Sequence, residues 1–292
     1  MSKTTKKTIL VTGGAGFIGS NLIESLVKDP ANKVFSLDNY FTGSRKNHIP
    51  EATYIEGHTK DIATLIDFIP DLVYHLGEYS RVEQSFEDMA IVWESNKVGT
   101  FAVLEFCRAN NIKIVYAGSS TKFGDGGLGR DQSPYAWTKA SNTELVRNYG
   151  SWFQLPYAIT YFYNVYGPRE ISTGQYATLI AIFKEKFKKG EPLTVVAPGT
   201  QVRNFTHVDD IVRGLALVGE KGEGDDYGLG AEDDYSILDI AKAFGGSVTM
   251  LPERKGNRMS ASIDLARSRN ELGWRAEKKI IDYIKEFVAI TQ

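Results

Sequence analysis

Thr12-Gly13-Gly14-Ala15-Gly16-Phe17-Ile18-Gly19 lies between a short apolar run, Thr8–Val11, and a helical pattern, Phe17–Val27. Gly13, Gly16 and Gly19 therefore fall where a strand turns into a helix. In that setting the first glycine permits the tight turn, the second lets a pyrophosphate approach the backbone, and the third lets helix and strand pack closely. The helix N-terminus adds N–H groups and a dipole that favour phosphate. Three glycines alone mark plain turns as readily; here strand, turn and helix agree. Asp38 closes the next predicted strand, 19 residues beyond Gly19. An acidic residue there accepts hydrogen bonds from the adenosine ribose and repels a 2′-phosphate, which favours NAD over NADP. Asp38-Asn39 also suits a strand-end turn. Asp61-Ile62 follows the third predicted strand, where it either flanks the adenine or starts a helix.

Working outward, the spacing predicts buried strands at Val34–Leu37, Thr53–Ile55, Leu72–His75, Ile112–Ala117 and Tyr157–Phe162. Helical patterns at Ile62–Ile69, Met89–Asn110 and Tyr135–Phe153 separate them. The alternation predicts an α/β protein: a Rossmann-type, doubly wound parallel sheet with helices on both faces. After Gly167 the rhythm changes. Helical stretches (Thr178–Lys189, Val208–Gly219, Ser236–Phe244, Ile280–Ala289) mix with short strands and Gly/Pro-rich connections. The expected organisation is a dinucleotide-binding domain over residues 1–167 and a smaller α+β substrate-binding part over 168–292, within which the chain crosses back to the first domain.

Composition is that of a globular chain, 42% hydrophobic and 24% charged. A net charge of −2 offers no basic excess for nucleic acid. The single cysteine, Cys107, lies in an apolar stretch; it forms no internal disulfide and is expected in the core. The run Thr8–Thr12 is too short for a signal or membrane segment, so the expectation is a cytoplasmic protein without a membrane partner. No metal-ligand set is expected.

Tyr135 and Lys139 are four residues apart on a predicted helix and so share a face. A free phenol titrates near ~10, too high for a base at neutral pH. A neighbouring ammonium and a positive nicotinamide ring would favour its phenolate. Ser119-Ser120-Thr121 ends a predicted strand 16 residues upstream of Tyr135. Its hydroxyls could share a hydrogen bond with a substrate alcohol and the Tyr135 oxygen, although such clusters often only cap or turn. A hydroxyl, a phenol and a cation beside a nicotinamide suit alcohol–ketone redox.

Taken together, these residues resemble the extended short-chain dehydrogenase/reductase family, in its nucleotide-sugar epimerase/dehydratase branch, and the likeness covers almost the whole chain. The glycine fingerprint, Asp38, Asp61-Ile62, His75-Leu76, Val82 with Ser85, Asn96, Ser119, and Tyr135 with Lys139 follow the family pattern in order. So do Tyr163-Asn164-Val165-Tyr166-Gly167-Pro168-Arg169, Arg203-Asn204-Phe205-Thr206-His207-Val208-Asp209-Asp210, Arg254-Lys255-Gly256-Asn257 and Leu272-Gly273-Trp274. The resemblance implies Ser119, Tyr135 and Lys139 as catalytic residues. It implies a cofactor, NAD, lined by Gly13, Gly16, Phe17, Ile18, Gly19, Asp38, Asn39, Asp61, Ile62, Leu76 and Gly77, with Tyr135 and Lys139 beside it. It implies a nucleotide-sugar substrate met by Ser120, Thr121, Asn164, Arg203 and Arg254, the arginines on the diphosphate. His75 is expected to be a packed strand residue, and Asn96 to support a helix near the site. Relatives commonly dimerise through two long helices, so a homodimer through Met89–Asn110 and Tyr135–Phe153 is implied, as is a role in polysaccharide biosynthesis.

The departures bear on the reaction. Dehydratases of this branch carry an Asp-Glu pair, or at least a Glu, after the catalytic hydroxyl; here those positions are Ser120 and Thr121. The family's usual Val-Tyr is Lys122-Phe123, Gly124–Pro134 is short, Asn204 replaces Asp, and His75-Leu76-Gly77-Glu78 replaces the commoner Ala-Ala ending. The expectation is NAD-dependent 4-epimerisation of a UDP-hexose through a 4-keto intermediate. The alternatives are a 4-dehydrogenase, a 4,6-dehydratase, a keto-sugar epimerase/reductase and, outside enzymes, an NAD-binding sensor.

Overall fold

The computed structural model describes residues 6–123, 125–253 and 263–291. In chain order the elements are β1 (Lys7–Thr12), α1 (Phe17–Leu26), β2 (Asn32–Asp38), β3 (Thr53–Glu56), α2 (Ile62–Leu65) and β4 (Leu72–His75). Next, α3 (Met89–Val92), a π-helical stretch Trp93–Gly99 and α4 (Thr100–Asn110) form one continuous helical run. After it come β5 (Lys113–Ser119), α5 (Pro134–Phe153) and β6 (Tyr157–Phe162). The remainder holds β7 (Val165–Tyr166), α6 (Leu179–Lys188), β8 (Leu193–Val196), β9 (Val202–Asn204), β10 (Thr206–His207), α7 (Val208–Lys221) and β11 (Gly224–Leu229). It ends with β12 (Asp234–Ser236), α8 (Ile237–Phe244), β13 (Val248–Leu251), α9 (Ala266–Leu272) and α10 (Ile280–Thr291).

Seven strands form one sheet in the order β11-β6-β5-β4-β1-β2-β3, and every neighbouring pair is parallel. Both faces are covered, which is why the strands read as unbroken apolar runs. Side chains alternate between the faces with the period of two that a strand imposes. Leu10, Val73 and Ile114 join Leu104 and Val146 on one side. Ile9, Val11, Leu72 and Tyr74 join Leu22, Leu215 and Trp274 on the other. A separate core built on Tyr166, Phe183, Phe205, Phe244 and Ile284 holds the smaller part together. The sheet also recruits late sequence: β11 pairs with β6, and Ile211, Leu215 and Val218 of α7 belong to a core of the main sheet.

Strand order reverses between β1 and β4, and a ligand crevice opens at the carboxyl ends of such a pair. There Gly13 adopts a left-handed φ of 72°. A Cβ on it would lie 2.8 Å from the Gly77 Cα.

Of the boundaries that move, two bear on the crevice. The helix expected over Ile62–Ile69 stops at Leu65, and Ile66 is extended. Ile69 precedes Pro70, a position that disfavours helix, and Phe68 packs on Phe35 with ring centroids 4.1 Å apart. The strand expected over Ile112–Ala117 runs two residues further, so Ser119 is its last residue, at the mouth of the crevice.

Gly19 tests the close helix–strand contact. In an open helix Gly→Ala gains about 0.5–1 kcal/mol. Here the added Cβ would lie 2.1 Å from the Gly13 carbonyl oxygen and 2.8 Å from the Gly14 Cα. Gly19→Ala should instead lose about 1–3 kcal/mol in urea unfolding, the usual cost of overpacking. A net gain would contradict the contact.

Candidate active site

A cavity of about 550 Å³ follows the crevice from the Gly13–Gly19 turn to the smaller part. At one end α1 begins at Gly16 with no side-chain cap, which leaves its first-turn N–H groups to a pyrophosphate. Gly16, Phe17, Ile18 and Gly19 line the cavity there. Asp38 is buried at the end of β2. Its carboxylate accepts from Ala15 N at 2.9 Å and from Tyr40 N at 2.7 Å. Burial pushes this carboxyl up, against those two bonds and the charge of His48. Asp38 thus ties the glycine turn to the β2 end and still faces the cavity. Asn39, Leu76 and Gly77 also line it. Asp61 and Ile62 do not: Asp61 is exposed and Ile62 fully buried, and the wall beyond β3 is formed by Gly57, His58 and Thr59. The uncapped helix end, the glycines without Cβ and the acid at the ribose position all suit a dinucleotide with a free 2′-hydroxyl.

In the middle, α5 places Tyr135 and Lys139. Ser133 caps it by accepting from Ala136 N at 3.1 Å, and Pro134 opens the first turn. Tyr135 and Lys139 then project from one face into the cavity. The Tyr135 hydroxyl donates to Ser119 Oγ at 3.1 Å. Ser119 Oγ also pairs with Thr121 Oγ1 at 2.8 Å. Ser119, Ser120 and Thr121 are all buried and all line the cavity, and neither Ser120 nor Thr121 is acidic.

Behind this set lies a buried polar cluster. Lys139 Nζ is paired with Glu78 Oε2 and donates to the Ala117 carbonyl. Glu78 Oε1 accepts from Thr100 Oγ1 at 2.7 Å, Tyr116 OH at 3.1 Å and Asn142 Nδ2 at 2.9 Å. Burial alone would raise the Glu78 carboxyl; the Lys139 ammonium and the bonds from Lys139 and Thr100 outweigh it and hold it below the usual range. His75 is fully buried and sits between Thr12 Oγ1 (2.7 Å) and Thr100 Oγ1 (2.9 Å). Because the Thr100 proton goes to Glu78, Thr100 accepts from His75 Nε2–H, and Nδ1 accepts from Thr12. Burial lowers this imidazole to about 4, opposed by Glu78 and assisted by Lys139, so it stays neutral. Asn96, on the π-helical stretch, joins Tyr79 N (2.7 Å) to Thr138 of α5 (3.0 Å).

At the far end Asn164 and Arg203 line the cavity. Asn164 has a left-handed φ of 36° and donates to the Asn204 carbonyl at 3.1 Å. Arg254 lies outside the described residues. Two charged lining residues, Arg81 and Glu170, were not singled out from sequence. Arg81 donates to the Tyr176 and Ser80 carbonyls at 2.8 and 3.0 Å; burial lowers its guanidinium, opposed by Tyr135, Tyr79 and Glu170. Glu170 accepts from Gly167 N (3.0 Å) and Thr178 Oγ1 (2.6 Å), and burial raises its carboxyl. Arg81 lies within the motif stretch between Glu78 and Val82, and Glu170 directly follows Arg169; adjacency to those motifs was the available signal. Among the described residues no His/Cys/Asp/Glu group is arranged to hold a metal, and no helix is long and apolar enough to cross a membrane.

A parallel sheet with its glycine crevice and a Ser–Tyr–Lys set define an NAD-dependent enzyme of the short-chain dehydrogenase/reductase type. Residues 9–230 match the NAD dependent epimerase/dehydratase family, and the chain belongs to it. A Methanocaldococcus jannaschii protein whose name, UDP-glucose 4-epimerase, is provisional is 32% identical over 96% of this chain and 97% of its own. The dTDP-glucose 4,6-dehydratase of Salmonella typhimurium is 26% identical over 97% of this chain and 93% of its own. The Thermus thermophilus UDP-glucose 4-epimerase, solved in complex with NAD, superposes with a TM-score of 0.87 at 28% identity, covering 97% of this chain and 98% of that one.

Proposed function

We propose that the chain is a nucleotide-sugar 4-epimerase and that a UDP-hexose is its substrate. The observation that carries this reading is the Tyr135–Ser119 hydrogen bond, 3.1 Å, in a cavity whose two residues after Ser119 carry no carboxylate. When bound, NAD supplies a hydride acceptor and donor. The Tyr135 oxygen takes the proton of the sugar 4-hydroxyl and returns it after the 4-keto sugar has turned. Ser119 shares its hydrogen bond with that hydroxyl, and Lys139 places positive charge beside the phenol. Asn164, Arg203 and Arg254 meet the sugar diphosphate, whose two phosphates suit guanidinium forks.

A second reading, dehydration, draws on one observation: Glu170 is a cavity-lining acid whose carboxyl burial raises. Epimerisation is favoured because both Glu170 oxygens are already bonded, to Gly167 N and Thr178.

The reading includes a homodimer. Trp93, Phe101, Trp137 and Trp152 are 45%, 52%, 39% and 60% exposed on the π-helical stretch, α4 and α5, and Trp93 and Trp137 stack face to face. Light scattering should give twice the chain mass, and Phe101→Glu with Trp137→Glu should give the monomer; a monomeric parent protein would end this part of the reading.

Tyr135→Phe tests the chemistry. It removes one oxygen, so folding and NAD binding should persist. Turnover of UDP-glucose should fall by about 10²–10⁴-fold, the usual contribution of a positioned general base. Near-normal turnover in a folded, NAD-bound variant would make the site assignment wrong.

A further inference from the structure

Glu78 stands three residues beyond the β4 end at His75, where a polar residue would ordinarily face solvent. Instead its side chain is 3% exposed and the Lys139 side chain 6%. Three elements converge on it: α5 through Lys139 and Asn142, β5 through Tyr116 and α4 through Thr100. Three of these donors meet Oε1 and Lys139 meets Oε2, so the carboxylate is held as a fixed negative charge. Lys139 is correspondingly constrained. Of its three N–H bonds, one goes to Glu78 and one to the Ala117 carbonyl. The third has no oxygen acceptor among the described residues, and the ammonium rests 4.6 Å from the Tyr116 ring centroid.

We propose that Glu78 is a positioning residue of the reaction: a buried counter-ion that holds the Lys139 ammonium in place and offsets its charge, so setting the pH at which Tyr135 can take a proton. The proposal rests on the site assignment above and extends it to a residue that acts through Lys139. The charged and titratable groups around the pair are few. Lys97 reaches it through Asn142 Oδ1 at 2.8 Å. His75 is neutral, and Tyr116 keeps its proton because burial and then Glu78 push it well above the ordinary phenol value. On the cavity side Arg81 lines the wall with Tyr135, and no carboxylate lies within ion-pair distance of it among the described residues. Glu78 offsets the Lys139 charge beside the phenol, and removing the Glu78 charge would leave Lys139 to add to the positive charge of Arg81.

The direction follows from Coulomb's law. A negative charge near a phenol opposes loss of its proton, and its removal favours the phenolate. The test uses NAD-saturated protein labelled with carbon-13 at the tyrosine ring carbon bearing oxygen, with the Tyr135 resonance identified by its loss in Tyr135→Phe. Glu78→Gln should titrate that resonance about one pH unit lower than the parent protein, a tenfold change in phenolate fraction. Glu78→Asp keeps the charge but shortens the reach. Its midpoint should stay nearer the parent value, while kcat on UDP-glucose falls about ten- to a hundredfold with KM unchanged, as expected from a displaced catalytic group. An unmoved midpoint in Glu78→Gln would overturn the proposal and leave Glu78 a packing residue. If Glu78→Gln does not fold, full kcat in Glu78→Asp would overturn it equally. The resonance comparison needs no turnover, so it is decided separately from the loss of activity in Tyr135→Phe that tests the site itself.

Discussion

The carboxyl ends of β1 and β4 come together only because neither Gly13 nor Gly77 carries a Cβ. A Cβ on Gly77 would lie 3.0 Å from Gly13 N, and one on Gly13 would press into the Gly77 backbone. Thr12 locks the approach by accepting from Leu76 N at 3.2 Å and Gly77 N at 3.0 Å. The cofactor crevice, the start of α1 and the placement of Glu78 all follow from this junction. A side chain at either position would separate the strand that carries the phosphate turn from the strand that leads to the buried carboxylate.

The junction also organises the buried charges. Taking a carboxylate and an ammonium out of water costs several kcal/mol for each ion, and their attraction repays it only when the remaining lone pairs and protons are satisfied. Here most of them are: Thr12, His75, Thr100, Tyr116, Asn142 and Lys139 form one bonded cluster around Glu78, and the ammonium rests against the Tyr116 ring. A polar cluster of that kind is costly when any member is missing and rigid when complete. Rigidity is what a proton-transfer site needs, since Tyr135 must present its oxygen to a sugar hydroxyl in one orientation. The π-helical stretch contributes by placing Asn96 between the Tyr79 backbone and Thr138, as π-turns often do at functional sites.

Much of this was legible in the sequence because it rests on local pattern. The glycine turn, the strand–helix alternation, Asp38 and the one-face pair Tyr135/Lys139 each follow from spacing over a few residues, and all line the one cavity. What was not legible depends on contacts between distant segments. Glu78 reads as a loop acid until Thr100, Tyr116 and Asn142, which lie 22, 38 and 64 residues away, close around it. Asp61-Ile62 fitted the adenine position by pattern, yet Asp61 is exposed, Ile62 is buried, and Gly57, His58 and Thr59 form the wall. The return of α7 and β11 to the main sheet likewise shows only once β11 is seen beside β6.

On the proposed reading a phenol, a serine and an offset ammonium exchange only a hydroxyl proton, with no carboxylate among the described residues acting at the neighbouring sugar carbons. Turnover of UDP-glucose in D₂O tests this, with the nucleotide sugar recovered and read by mass spectrometry and proton NMR. The account predicts a product of unchanged mass, the C4 epimer, with no solvent deuterium on any carbon. Deuterium at C3 or C5, or a product lighter by one water, would contradict it and make Glu170 the group to explain.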